Sequence, residues 1–181
     1  MSLKGSGLTI RLPYTLEEMK KRGEAARSDL ALALGNFAIR FLQMEAALDG
    51  LIHELLALAP DTGHALTSAI RSNRVRFQIL AALNSDLEQA APFRRDIETA
   101  LGQADGLNEY RNWLLHDRWT GSVAISDEAW NHQKRRMRRG KWQERDFTSE
   151  SVSGKADECV EVAQRISTIC SALNHLRAER R

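Results

Sequence analysis

From Leu30 onward the apolar positions Leu30, Leu34, Phe37, Phe41, Met44, Leu48, Leu51 and Leu55 alternate by fours and threes. That spacing keeps one stripe of a 3.6-residue helix apolar. It predicts a long amphipathic helix with a coiled-coil-like seam, ending near Ala59-Pro60. Ser28, followed by Asp29, is a candidate N-cap for it, and Thr15 with Glu18 makes a capping box for a short helix before it. Residues 1–14, ending near Pro13, read as an irregular or extended arm. Leu66, Ile70, Phe77, Leu80 and Leu87 carry the pattern through a second helix, started by Asp61 or Thr62. A break near Ala91, with Pro92 in the first helical turn, opens a third helix through Ile97, Leu101, Leu107, Tyr110 and Leu114. The last carries Val152, Ala156, Cys159, Ala163, Ile166, Cys170 and Leu173.

The helical period fails over residues 119–148. Trp119 to Ile125 and Lys141 to Phe147 have strand composition, with Gly140 as a turn residue, so two or three short strands are expected there. The predicted fold class is all-α: a four-helix (up to five-helix) bundle with a small β-hairpin insertion between the third and fourth core helices. One domain spans 1–181, with 1–27 an N-terminal arm and short helix and 119–148 a basic β insertion.

Composition narrows the class without deciding the function. A chain of 181 residues, 43% apolar and 28% charged, suits one soluble domain that buries roughly 70% of its unfolded surface. No apolar run approaches the ~20 residues of a membrane span. Met1 to Gly7 has no apolar export segment. Cys159 and Cys170 lie 11 apart on one predicted helix. Their backbones are therefore ~16 Å apart, beyond the ~7 Å a disulfide spans. Reduced core cysteines and a cytoplasmic location are expected, with no membrane partner. No metal or other cofactor is expected. The histidines His53, His64, His116, His132 and His175 include no i, i+4 pair, and there is no CxxC. No glycine-rich phosphate loop or nucleophile elbow appears either.

The chemistry concentrates in Arg111-Asn112-Trp113-Leu114-Leu115-His116. Asn112 and His116 are i, i+4 neighbours on one helix face with Arg111 on its flank, and Leu107, Tyr110 and Leu114 form the opposite stripe. One reading is a solvated polar face, with His116 favoured at a helix C-terminus. The other is a site: a guanidinium that grips phosphate oxygens in a planar fork, an amide, and an imidazole that titrates near neutral pH.

That segment resembles the signature of the HEPN superfamily, an Arg, a polar residue, then three or more residues and a His. Arg111, Asn112 and His116 fall on those positions, and Asp117-Arg118 follow where many relatives carry a small residue. Only this six-residue motif is specific, although the bundle resembles that superfamily over roughly residues 28–178. The resemblance implies a four- or five-helix bundle with the motif late in a core helix. It also implies a homodimer in which two motifs face each other. Active members are metal-independent endoribonucleases, often toxins with antitoxin partners or phage-defence proteins, while others bind nucleotides or proteins without cleaving. Cleaving single-stranded RNA without a metal needs a group to deprotonate a 2′-hydroxyl and a clamp for the charged phosphate. An acid–base pair needs two histidines, and a two-fold dimer supplies the second.

Two further features bear on the function. Glu45 sits beside the first helix's seam, where an acid is costly unless paired. It either joins the site, holding Arg111 or taking a proton, or pairs with Arg71, Arg74 or Arg76. The run Lys134, Arg135, Arg136, Arg138, Arg139 and Lys141 puts six cations in eight residues. Over 132–146, seven Lys/Arg minus Glu144 and Asp146 leave +5, against +2 for the whole chain. Near Trp119, Trp130 and Trp142, the run reads as phosphate contacts and stacking platforms for single-stranded nucleic acid. The plainer reading is a solvated hairpin whose tryptophans pack onto the bundle.

Overall fold

The structure, a computed structural model, describes residues 2–5, 8–11, 16–116, 118–124, 130–138 and 141–179. In chain order the elements are β1 (Ser2–Gly5), β2 (Leu8–Arg11), α1 (Leu16–Leu55), α2 (Pro60–Ser68) and α3 (Asn73–Asp86). A 3₁₀ turn (Glu88–Phe93), α4 (Arg94–His116), β3 (Arg118–Ala124), β4 (Trp130–Arg138), β5 (Lys141–Phe147) and α5 (Ser149–Glu179) follow. The architecture is an all-α bundle with a small β insertion between α4 and α5. No helix of the described residues is long and apolar enough to cross a membrane.

α1 is one helix of 40 residues, ~60 Å long at 1.5 Å per residue. The expected restart at Ser28 does not occur. Ser28 Oγ donates to the Glu24 carbonyl at 3.1 Å, as a serine does inside a helix. Residues 16–30 contain no proline and are rich in Glu, Lys, Arg and Ala, so nothing local stops the helix. Thr15, the other half of the proposed capping box, lies outside the described residues. Leu30, Phe37, Phe41, Met44, Leu48, Leu51 and Leu55 are buried as the spacing requires, whereas Ala33 takes the inner position and Leu34 is only partly buried. α1 ends in a Schellman turn. The Leu58 N–H donates to the His53 carbonyl at 3.0 Å and the Ala57 N–H to that of Glu54 at 3.2 Å, with Ala57 at φ 52°.

The second expected helix is two helices. Ser72 is extended and its hydroxyl accepts a long bond from the Val75 N–H at 3.4 Å, an N-cap that opens α3 and separates it from α2. Pro92 falls inside the 3₁₀ turn rather than in the first turn of α4. Arg94, at the start of α4, donates to the Asn84 and Ser85 carbonyls at 3.0 Å and thereby closes the end of α3. The N-terminal arm is a ribbon, β1 antiparallel to β2 with Leu3 opposite Ile10, because backbone pairing satisfies both short segments.

Ion pairs fix the helix directions. Arg40 meets Asp157 and Glu54 meets Arg177, offsets of 117 and 123 residues, so α5 runs parallel to α1. α4 runs against both: its last turns hold Tyr110 against Phe37, while Gln89, just before α4, reaches the Leu55 carbonyl. The end of α4 and the start of α5 thus lie at one end of the bundle, and the β3-β4-β5 meander occupies that turnaround. Aromatic contacts lock it there: Phe37 to Tyr110 at 5.6 Å and Tyr110 to Phe147 at 5.4 Å. Thr148 and Ser151 exchange hydroxyl bonds to each other's N–H at 3.0 and 2.9 Å, capping α5. Both cysteines are free. Burial pushes the thiol of Cys159 up to about 12 and that of Cys170 up to about 11.

Candidate functional site

The apolar stripe of α4 orients everything opposite it. Leu107, Tyr110, Trp113 and Leu114 are buried, Asn108, Arg111 and Asn112 are half-buried, and Leu115 and His116 are exposed. The Arg111 guanidinium lies over the Phe41 ring, 5.6 Å from its centroid. It makes no ion pair or hydrogen bond among the described residues. Its position is therefore set by an aromatic face, and its donors remain available for a ligand.

Arg111, Asn112 and Asn108 form one wall of a cleft of about 410 Å³. Glu45 of α1 and Asn73 lie between that wall and a second one made by Ile70, Arg71, Ser72, Arg74 and Arg76. Asn73 ties the cleft together: its Nδ2 donates to Glu45 Oε1 at 2.5 Å and to Asn108 Oδ1 at 3.2 Å. Its Oδ1 accepts from Arg76, which in turn holds Asp49 bidentately, Nε to Oδ1 at 2.6 Å and Nη2 to Oδ2 at 3.2 Å. Glu45 and Asp49 are one turn apart on α1, and Asn73 and Arg76 nearly one turn apart on α3. The two contacts therefore stack along neighbouring helices. Of the expected arginine partners of Glu45, Arg76 goes to Asp49, and Arg71 and Arg74 stand exposed. Glu45 takes an amide instead.

The structure thus brings Arg111, Asn112 and Glu45 to one cleft. His116 lies one turn beyond Asn112, ~6 Å further along the helix axis, exposed and not among the lining residues. Among the described residues no three His, Cys, Asp or Glu side chains gather to hold a metal ion.

The basic run does not act as one surface. Alternation along β4 turns His132 and Lys134 inward and Arg135 outward. Lys134 is 1% exposed, and its Nζ donates to the Leu114 carbonyl in the last turn of α4. The expectation that Lys134 contacts nucleic acid is corrected by this burial: its charge serves a helix end that has no internal donor for that carbonyl. Arg135 is exposed, paired with Glu144 across the ladder and stacked on Trp142 at 5.3 Å. Lys141 is exposed. Trp142, which the plainer reading packs onto the bundle, is 59% exposed. The side chains of Trp119, Trp130, Arg136 and Arg138, and all of Arg139, lie outside the described residues.

Arg145 sits over the Tyr110 ring at 4.9 Å, so the insertion presses on the motif helix from a second side. Burial raises the pKa of Tyr110, with Ser151 beside its hydroxyl but short of ordinary hydrogen-bond geometry. His132 is lowered by burial first and by the Arg27 charge second. No family model matches this chain, and no curated protein or solved structure matches it either.

Asn73 and Asn108 had no sequence signal, because each is one polar residue among many on its helix. Arg71-Ser72-Asn73-Arg74-Val75-Arg76 did have one: three arginines around a serine able to cap a helix.

Proposed function

We propose that this protein is a metal-independent endoribonuclease of HEPN type that acts on single-stranded RNA as a homodimer. Arg111 clamps the scissile phosphate, Asn112 orients it, and His116 is the general acid or base. Glu45, held by Asn73, keeps the floor of the cleft in place. The observation that carries the reading is that Arg111 and Asn112 share a polar cleft in which the guanidinium has no carboxylate partner among the described residues. The imidazole follows one helical turn away.

One chain separates its clamp from its imidazole, and a second copy would complete the set. A surface suited to that copy lies beside the cleft. Leu32, Ile39 and Leu42 are 67%, 59% and 62% exposed, and with Gly35 and Ala46 they form a second 3-4 stripe on the outer face of α1. Between Leu30 and Leu48 the only charged residues of α1 are Arg40, paired with Asp157, and Glu45, turned to the cleft. An uncharged apolar helix face of this length is the kind of surface a subunit covers. Leu115, next to His116, is also exposed, so the motif itself carries an apolar side chain at the surface.

The test is incubation of the purified protein with single-stranded RNA in EDTA, followed by analysis of the ends. Cleavage leaving 2′,3′-cyclic phosphates, lost in His116→Ala and in Arg111→Ala, supports the reading. No cleavage, or cleavage indifferent to His116→Ala, overturns it. The position of His116 outside the lining of the cleft favours a second reading, a non-catalytic module that holds a nucleotide or nucleic acid at Arg111. In that case Arg111→Ala weakens binding while the wild-type protein turns nothing over.

A further inference from the structure

The wall of the cleft opposite Arg111 has no role in the reaction just described. Arg71 and Arg74 flank Ser72, the N-cap of α3, a helix of 14 residues. Arg76 and Asp49 neutralise each other beneath them. Among the described residues the remaining charges lining the cleft are Arg71, Arg74 and Arg111 against Glu45, so three cations minus one anion leave an excess of two. Arg71 and Arg74, like Arg111, have no carboxylate or carbonyl partner among the described residues. Arginines on an ordinary solvated face diverge. These come from the α2–α3 junction, the first turn of α3 and α4, and line one volume of about 410 Å³, within the size range of small-ligand sites. The start of α3 opens on the same wall, and the first amides of a helix lack internal acceptors and favour an anion.

We infer that Arg71 and Arg74 form a second phosphate subsite, which holds the phosphodiester adjacent to the one held by Arg111 and Asn112. Two singly charged phosphodiesters balance the excess of two positive charges. The cleft then reads two consecutive phosphates of one strand, and Asn73 and Arg76 set the distance between its walls. This rests on the reading of Arg111 as a phosphate clamp, but not on catalysis.

The test separates binding from cleavage by using a fluorescein-labelled single-stranded DNA oligonucleotide, which has no 2′-hydroxyl to attack. Each of Arg71→Ala and Arg74→Ala weakens its binding roughly tenfold. Each also lowers the slope of log K against log salt by about 0.7, the increment for one single-strand phosphate contact. Arg71→Lys keeps the slope. A nucleoside 3′,5′-bisphosphate competes better than the corresponding monophosphate. Unchanged slopes in both alanine variants, equal competition by the two nucleotides, displacement by polyglutamate as effective as by the unlabelled strand, or no binding by the wild-type protein would each overturn the subsite. If the strand binds as expected but RNA is not cut, only the nuclease reading falls.

Discussion

Lys134, buried on the inner face of β4, donates its Nζ hydrogen to the Leu114 carbonyl in the last turn of α4. The most basic segment of the chain thus places one of its charges at the end of the helix that carries Arg111, Asn112 and His116. Lys134→Met keeps the aliphatic stem and leaves a buried carbonyl without this donor, which costs about 1–3 kcal/mol. Thermal unfolding should fall by roughly 2–10 °C for a chain of this size. The salt dependence of nucleic-acid binding should stay at the wild-type value in this variant, and decrease in Lys141→Ala, whose charge is exposed.

Phe41 supports Arg111 from below. Phe41→Leu keeps the core filled and removes the ring under the guanidinium, a contact worth about 0.5–1 kcal/mol. The expected result is a several-fold weaker grip on a phosphate ligand with little loss of thermal stability. Phe41→Ala, by contrast, opens the core and costs about 3–5 kcal/mol. Parallel melting and titration of the two variants checks both parts.

Ala57 holds a left-handed conformation at φ 52° in the turn that closes α1. A side chain there costs roughly 1–2 kcal/mol that glycine avoids, partly offset by the greater backbone entropy glycine loses on folding. Ala57→Gly should therefore raise stability by up to about 1 kcal/mol, read as a higher denaturant midpoint with an unchanged slope.

His132 gives the fold a pH dependence of definite sign. Its folded pKa is lowered from 6.5 by burial and by the nearby Arg27 charge. Between that lowered value and 6.5 the unfolded chain binds a proton that the folded chain does not, so stability rises with pH across this window. The contribution is complete above about pH 6.5 and fades as the pH falls below it. Melting temperatures should drop more between about pH 7 and pH 5 for the wild-type protein than for His132→Gln. Equal drops would show that His132 does not carry this effect.

The two thiols are predicted to differ in access rather than in kind. Both pKa values are raised by burial, Cys159 to about 12 and Cys170 to about 11. At pH 8 a thiol reagent should leave Cys159 untouched and modify half-buried Cys170 slowly, with rapid reaction of both only in denaturant.

Repeated local patterns were legible in the chain. The alternation from Leu30 to Leu55 predicts the buried face of α1, and the apolar positions of α4 leave Arg111, Asn112 and His116 on the other face. Each of these follows from 3.6-residue periodicity, a property of neighbours in sequence. Single-residue boundary signals were less dependable. Ser28 looked like a cap and became an interior helical serine, because good helix formers precede it. Ser72 lies within an apolar spacing that runs on from Leu66 to Leu87, yet it caps α3, divides two helices and places Arg71 at the cleft.

Which polar residues meet was decided only by tertiary structure. From the sequence Glu45 either holds Arg111 or takes a proton in the site, or pairs with another arginine; the parallel placement of α3 beside α1 puts Asn73 opposite Glu45 and Arg76 opposite Asp49. Lys134 and Arg135 are adjacent in one basic run, and strand alternation against the bundle buries one and exposes the other. Short-range periodicity was enough to place the apolar faces of α1, α4 and α5 and the polar motif, while helix starts and breaks were not readable from it. Tertiary packing decided which charges are neutralised and which remain open, since ion pairing depends on distances between residues far apart in the chain.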